Sequence, residues 1–155
     1  MSKSKLHKTK IESDPVYQSA LVILLMLRML KSGKKVTAQR IVYKSLKILQ
    51  ERTNSNPVIV LEAAVKNVAP KIKVKTRRVG SAIHQFPHEI RASRGIRVGL
   101  KWIADSARDR PGTSIELKLA EEILDAAKYR GAAFRKKILL QKKVRFDRRF
   151  SRYRY

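Results

Sequence analysis

The chain has 155 residues, 37 of them Lys or Arg against 12 Asp or Glu, for a formal charge of +25. Its 43% apolar content supports one packed core and excludes a merely basic disordered tail. The absence of cysteine excludes disulfides, thiolate zinc sites and thiol catalysis. A compact body with this surplus repels itself, so its natural partner is a polyanion, and nucleic acid fits better than an anionic membrane.

Residues 1–12 read as a flexible basic arm carrying Lys3, Lys5, Lys8 and Lys10. The apolar run from Ala20 to Leu30 behind it has a superficial likeness to a signal peptide. Arg28 interrupts it, no small-residue cleavage site follows, and it falls short of the ~20 residues of a membrane span. It reads instead as a core helix. Asp14 and Pro15 predict a cap and first position, with the helix running to about Ser32 and Gly33 as its left-handed terminator. Helix two is expected over about 36–50, its apolar positions Val36, Ile41, Val42, Leu46 and Leu49 recurring at helical spacing. Asn56 and Pro57 repeat the cap-then-proline signal, and helix three runs to about Val68, before Pro70.

The period then changes to two. Ile72, Val74 and Thr76 alternate with Lys71, Lys73, Lys75 and Arg77, which predicts a hairpin over about 71–90 turning at Gly80 and Ser81. Pro87 confines the return strand to an edge. Helix four is expected from about Arg94 to Arg108, with Ser93 as cap and Trp102 toward the core. Thr113 and Glu116 have capping-box spacing and open helix five, which runs to about Tyr129. The last helix, about 132–150, carries cations around its whole circumference and is therefore expected to leave the body. The fold class is mainly α: a six-helix single domain over 13–155 with a projecting two-stranded β-hairpin between helices three and four.

Four constellations bear on function. Lys71, Lys73, Lys75, Arg77 and Arg78 displace counterions from phosphates, and guanidinium also matches phosphate geometry; a solvated edge strand blunted by lysine is the plainer account. Gly33, Lys34 and Lys35 put cations at a tight loop, which is no P-loop because position 28 is Arg, and which helix-dipole compensation explains equally well. In the last helix Phe134, Phe146, Phe150, Tyr153 and Tyr155 interleave with the cations, and aromatics can stack on unpaired bases, although Phe134 and Phe150 read as core anchors. His84 and His88 share a strand face, but zinc would need further ligands, so no metal is assigned. Nothing resembles a cofactor loop or a catalytic acid–base pair, so the chain is not read as an enzyme. Half the acids fall between Asp105 and Asp125, which predicts either a face turned from the polyanion or internal pairing with arginine.

Several linked motifs resemble the family of the seventh small-subunit ribosomal protein in its bacterial and organellar form. These are Asp14, Pro15 and Tyr17; Gly33, Lys34, Lys35 and Ala38; and Asn67, Val68 and Pro70. Val74 and Lys75 lead into Arg77, Arg78, Val79 and Gly80, the most specific string. Gln85, Pro87, Glu89 and Ile90 follow, then Trp102, Arg108, Arg110, Leu119, Ala120, Glu122, Asp125, Ala126 and Gly131 in order. The likeness spans about residues 13–155. Ser81 and Lys101 depart from the family's usual glycine and arginine, and the last helix departs most.

The resemblance implies a structural constituent of the small subunit that binds the 3′ major domain of its rRNA and nucleates head assembly among other head proteins. It implies rRNA contact by Lys3, Lys5, Lys8, Lys10, Lys34, Lys35, Lys73, Lys75, Arg77, Arg78, Arg94, Lys101, Arg108, Arg110, Lys136 and Lys137. It implies proximity to exit-site tRNA and mRNA for Gly80, Ser81, His84, Lys142, Lys143 and Arg145. The setting would be a ribosome in an organelle, a plastid rather than a mitochondrion, or in bacterial cytoplasm. No cofactor and no membrane partner are expected. The alternative is a DNA-binding architectural protein with a basic β-arm, which usually offers paired arms and an apolar wedge at the tip.

Overall fold

The computed structural model describes residues 13–79 and 81–147. In chain order the elements are α1 (Ala20–Met29), α2 (Lys35–Thr53), α3 (Pro57–Val68), β1 (Ile72–Val79), β2 (Ala82–Glu89), α4 (Ala92–Asp109), α5 (Ile115–Ala127) and α6 (Gly131–Asp147). This is the expected mainly helical domain with an antiparallel hairpin between the third and fourth helices. Helix α5 is central, touching α2, α3, α4 and α6, and Leu119, Ala120, Ile123 and Ala126 are fully buried on it. The core around it draws on Val22 and Leu25 of α1, Leu46 and Leu49 of α2, Leu61 and Val68 of α3, and Leu100 and Ile103 of α4. The basic arm proposed for residues 1–12 lies outside the described residues.

Local competition shifts several helix ends from their sequence positions. Asp14 does cap, accepting from the Val16 and Tyr17 amides at 3.2 and 2.9 Å, but the turn it caps does not propagate. Its other carboxylate oxygen accepts the Tyr43 hydroxyl at 2.8 Å, pinning the turn to α2, and Gln18 then takes a left-handed φ of 48°. Helix α1 therefore restarts at Ala20. It stops at Met29, before the left-handed pair Ser32 and Gly33. Val36 is 80% exposed in the first turn of α2, so the buried seam begins at Ala38. Asn56 caps α3 as expected, accepting from the Val58 amide at 2.9 Å. The capping box of α5 does not form. Ser114, not Thr113, is the N-cap, which puts Glu116 at the second helical position rather than the third, where the reciprocal bond needs it. Helix α5 ends at Ala127, not Tyr129, which adopts a φ of 60°.

Helix α4 begins at Ala92, with Arg91 at the N-cap and Ser93 inside the first turn. The helix crosses closely over the segment that joins α3 to β1. A Cβ at Gly95 would stand 2.8 Å from the Pro70 carbonyl oxygen, and one at Gly99 would stand 3.2 Å from the Ala69 backbone. Trp102 is half-buried against the core rather than enclosed by it.

The acids of α5 pair internally, the second of the two expected outcomes. The Arg110 guanidinium donates to Glu121 at 3.3 Å, Glu122 at 2.7 Å and Asp125 at 2.5 Å. Partial desolvation works against its charge, but the hydrogen bonds to Asp125 and Glu122 more than offset this and hold it above the ordinary arginine range. Glu122 is 1% exposed, and its second oxygen accepts the Ala133 amide in the first turn of α6 at 2.8 Å. One carboxylate thus ties the end of α4 to the start of α6. Gly131 (φ +88°) makes the turn between α5 and α6, since a Cβ there would stand 2.9 Å from the same carboxylate.

Two stability results follow. Gly95→Ala drives a methyl into backbone and should cost about 1–3 kcal/mol in denaturant unfolding. Arg110→Ala leaves Glu122 buried with only the Ala133 amide. It should cost roughly 3–5 kcal/mol, whereas Arg52→Ala, which breaks an exposed pair to Glu121, should stay within about 0.5 kcal/mol.

Candidate nucleic-acid interface

The hairpin presents its cations by simple alternation. Lys73 and Lys75 lie on one face, across from His88 and Phe86, while Ile72 and Val74 lie on the other, across from Glu89 and Pro87. Arg77 and His84 hold the next paired position on the first face; their side chains lie outside the described residues, as does Gly80. Arg78 and Ser81 are exposed. Glu89, the one acid of the described hairpin, sits on the face opposite Lys73.

Two other elements bring cations to the hairpin root. The Lys73 ammonium is pushed below the ordinary lysine value, first by partial desolvation and then by repulsion from Arg94 of α4 and from Lys75. Lys137 of α6 is pushed down in the same way, by burial first and then by Lys71. Lys137 donates to the Asn67 carbonyl and stands 6.0 Å from the Phe134 ring centroid. Like charges have been gathered at one place, and among the described residues no acid is paired with these lysines. A bound phosphate would relieve that repulsion.

Helix α4 extends the cationic surface. Arg94, Arg97, Lys101 and Arg108 are all exposed, at offsets of three, four and seven residues, which keeps them on one stripe. At 1.5 Å per residue the stripe is roughly 21 Å long. Its far end reaches the α1–α2 loop, where Lys31, Lys34 and Arg108 line one cleft with Met29 and Ile41. There Arg108 donates to the Arg28 carbonyl at 2.9 Å and pairs loosely with Asp105 at 3.4 Å. Lys35 is exposed beside them.

The last helix overturns one expectation. It does not leave the body: it packs against α3, α4, α5 and both strands. Ala133 and Val144 are buried and Leu140 and Lys137 half-buried, and these four recur at offsets of four, three and four as a helical seam. Counting charges around the helix concealed that seam because Lys137 occupies one of its positions. Phe134 anchors to the core, as expected. Lys142, Lys143 and Arg145 remain exposed near the end of α6, and Lys136 pairs with Asp109 at 3.8 Å. Phe150, Tyr153 and Tyr155 lie outside the described residues.

The structure therefore brings together Lys73, Lys75 and Arg94, and beside them Lys71 with Lys137, at the hairpin root; the cationic surface continues through Lys101 and ends at Lys34, Lys35 and Arg108. Arg110 stands apart, its guanidinium enclosed by three carboxylates. Arg97 was missed by sequence reading, although its spacing from Arg94 and Lys101 was there to be read.

The family model described as ribosomal protein S7p/S5e matches residues 1–146. The chain is 46% identical over 151 residues to small ribosomal subunit protein uS7 of Acaryochloris marina, covering 97% of both chains. It is 41% identical over 156 residues to small ribosomal subunit protein uS7c of Cyanidium caldarium, covering 100% of both. It is 41% identical over 153 residues to uS7 of Thermosynechococcus vestitus, covering 99% of this chain and 98% of the relative. With a helical body, an inserted hairpin and matches that run nearly end to end, the chain belongs to the ribosomal protein S7p/S5e family.

Proposed function

We propose that this chain, a ribosomal protein of the small subunit and not an enzyme, binds the 3′ major domain of small-subunit rRNA and nucleates assembly of the subunit head. The relatives' names support the small subunit. Their sources, cyanobacterial or carrying the uS7c name, support a ribosome of a plastid or of bacterial cytoplasm. The alternative of a DNA-architectural protein gives way to this family membership. No described helix is long and apolar enough to cross a membrane.

The observation that carries the reading is the surplus of cations at the hairpin root. Lysines whose charged form is disfavoured in the folded chain have been concentrated where a phosphate backbone would restore it. The proposed rRNA surface comprises Lys34, Lys35, Lys73, Lys75, Arg77, Arg78, Arg94, Arg97, Lys101, Arg108 and Lys137, with Lys3, Lys5, Lys8 and Lys10 as further cations. Arg110 is assigned to the internal network instead. Lys142, Lys143 and Arg145, at the end of α6, and the hairpin tip would face exit-site tRNA and the message.

Binding to the rRNA domain should be steeply salt-dependent. With six to ten phosphates neutralised, affinity should fall roughly 10³–10⁵-fold between 50 and 200 mM salt, and a flat response would remove the electrostatic basis. Reversing one charge of the α4 stripe, Arg97→Glu, should weaken binding by about tenfold or more at low salt while leaving the thermal midpoint in place.

The depressed lysines give a signed pH response. A Lys whose folded pKa lies below its unfolded value of 10.5 makes the unfolded chain bind more protons. Stability from this source is therefore lowest at pH below the folded pKa and rises through the window up to the unfolded value. Tyr17 and Tyr43, raised first by burial, act with the opposite sign in the same window. The rise is therefore read as the difference in thermal midpoint between the parent and a Lys73→Met, Lys137→Met variant at low salt, and rRNA or another polyanion should abolish that difference.

A further inference from the structure

The seam between α6 and the hairpin root does not close. It leaves a cleft of about 470 Å³, within the range of roughly 300–1,000 Å³ common for small-ligand sites. Its floor is apolar, from buried Pro70 and Val144 and half-buried Leu140, with Ile72 exposed beside them. Lys71, Gln141 and Arg145 form an exposed polar and basic rim, Lys137 reaches it half-buried from the α6 seam, and no acid lines the cleft. The amphipathic division is sharp enough to specify a ligand: a flat apolar body with an anionic edge and hydrogen-bonding groups.

We infer that this cleft receives a single unpaired RNA nucleotide, its base against Leu140 and Val144 and its phosphate between Lys71 and Lys137. An apolar peptide side chain would leave the crowded Lys71 and Lys137 ammonium groups uncompensated. A free phosphate would leave the floor empty. A nucleotide in a duplex keeps its base stacked and cannot enter, so the cleft selects bulged, looped or splayed nucleotides. Gln141, exposed at the rim, offers an amide that can both donate to and accept from a base edge. The Lys137 ammonium bonds the Asn67 carbonyl, which holds this half-buried lysine in place beside the cleft. The inference deepens the proposed rRNA-binding reading and rests on it: the hairpin and the α4 stripe hold the backbone, while this cleft takes an unstacked base.

The test uses the full chain and two fluorescent probes, a single-stranded hexauridylate and a fully paired RNA duplex, at matched salt. Leu140→Trp fills the cleft and should weaken hexauridylate binding about tenfold, with duplex binding unchanged. Gln141→Ala, at an exposed position that keeps the fold intact, should weaken the hexauridylate roughly threefold. If both variants bind both probes as the parent does, the cleft is not a nucleotide site, while salt-dependent rRNA binding by the parent would leave the broader reading standing. If the parent itself fails to bind the rRNA domain, the broader reading fails first. In assembled subunits, chemical probing separates the source. One rRNA nucleotide newly reactive in the Leu140→Trp particle without message assigns the cleft to rRNA, and protection of a message nucleotide by the parent but not by the variant assigns it to mRNA. Identical reactivity of parent and variant particles in both arms overturns the inference.

Discussion

A buried carboxylate must be paired, and Glu122 meets that requirement twice. It accepts the Arg110 guanidinium from the end of α4 and the Ala133 amide from the start of α6. The rest of the arrangement depends on this. The α4 end and the α6 start are held to the central helix α5, and α6 is directed back along the body toward the hairpin. Without that constraint a helix with so many cations would gain little by lying against a strand that carries more of them. With it, Ala133, Lys137, Leu140 and Val144 form a seam, and Lys137 is brought beside Lys71 against its electrostatic preference.

The same network explains how a chain of +25 concentrates its charge. Among the described residues, Glu121, Glu122 and Asp125 are bound by Arg110 and Arg52, and Asp105 and Asp109 by Arg108 and Lys136. Five acids are thereby engaged within the body. The hairpin root, α4 stripe and interhelical loop are left with cations that have few partners inside the protein, and a folded chain in this condition is stabilised by whatever polyanion binds it.

The architecture was legible because its signals were strong and local. The change of period after Pro70 marked the hairpin, and Asn56 before Pro57 marked a helix start. What misled were signals that tertiary contact overrules. Asp14 capped its turn, but Tyr43 held that turn in place and the helix restarted later. The Thr113 and Glu116 spacing was correct for a capping box, yet Ser114 is the N-cap. Charge around α6 pointed to a free helix, because a sequence does not show that one of its lysines lies in an apolar seam. The basic strand was readable as a candidate site from its alternation, and the loop from paired lysines after Gly33. The partition of arginines was not: Arg97 and Arg110 both belong to the helix four region, and only their neighbours separate an open cation from one enclosed by carboxylates.

One cationic side of this chain, rather than its charge as a whole, is proposed to meet the rRNA. Lysine acetylation rates measured on the free chain and on its complex with the rRNA domain test this most directly. The account predicts strong slowing at Lys71, Lys73, Lys75, Lys101 and Lys137, and unchanged rates at Lys44 and Lys47, which are exposed on α2 toward its turn into α3. Equal slowing at all seven, or slowing at Lys44 and Lys47 with the hairpin lysines unchanged, would contradict it.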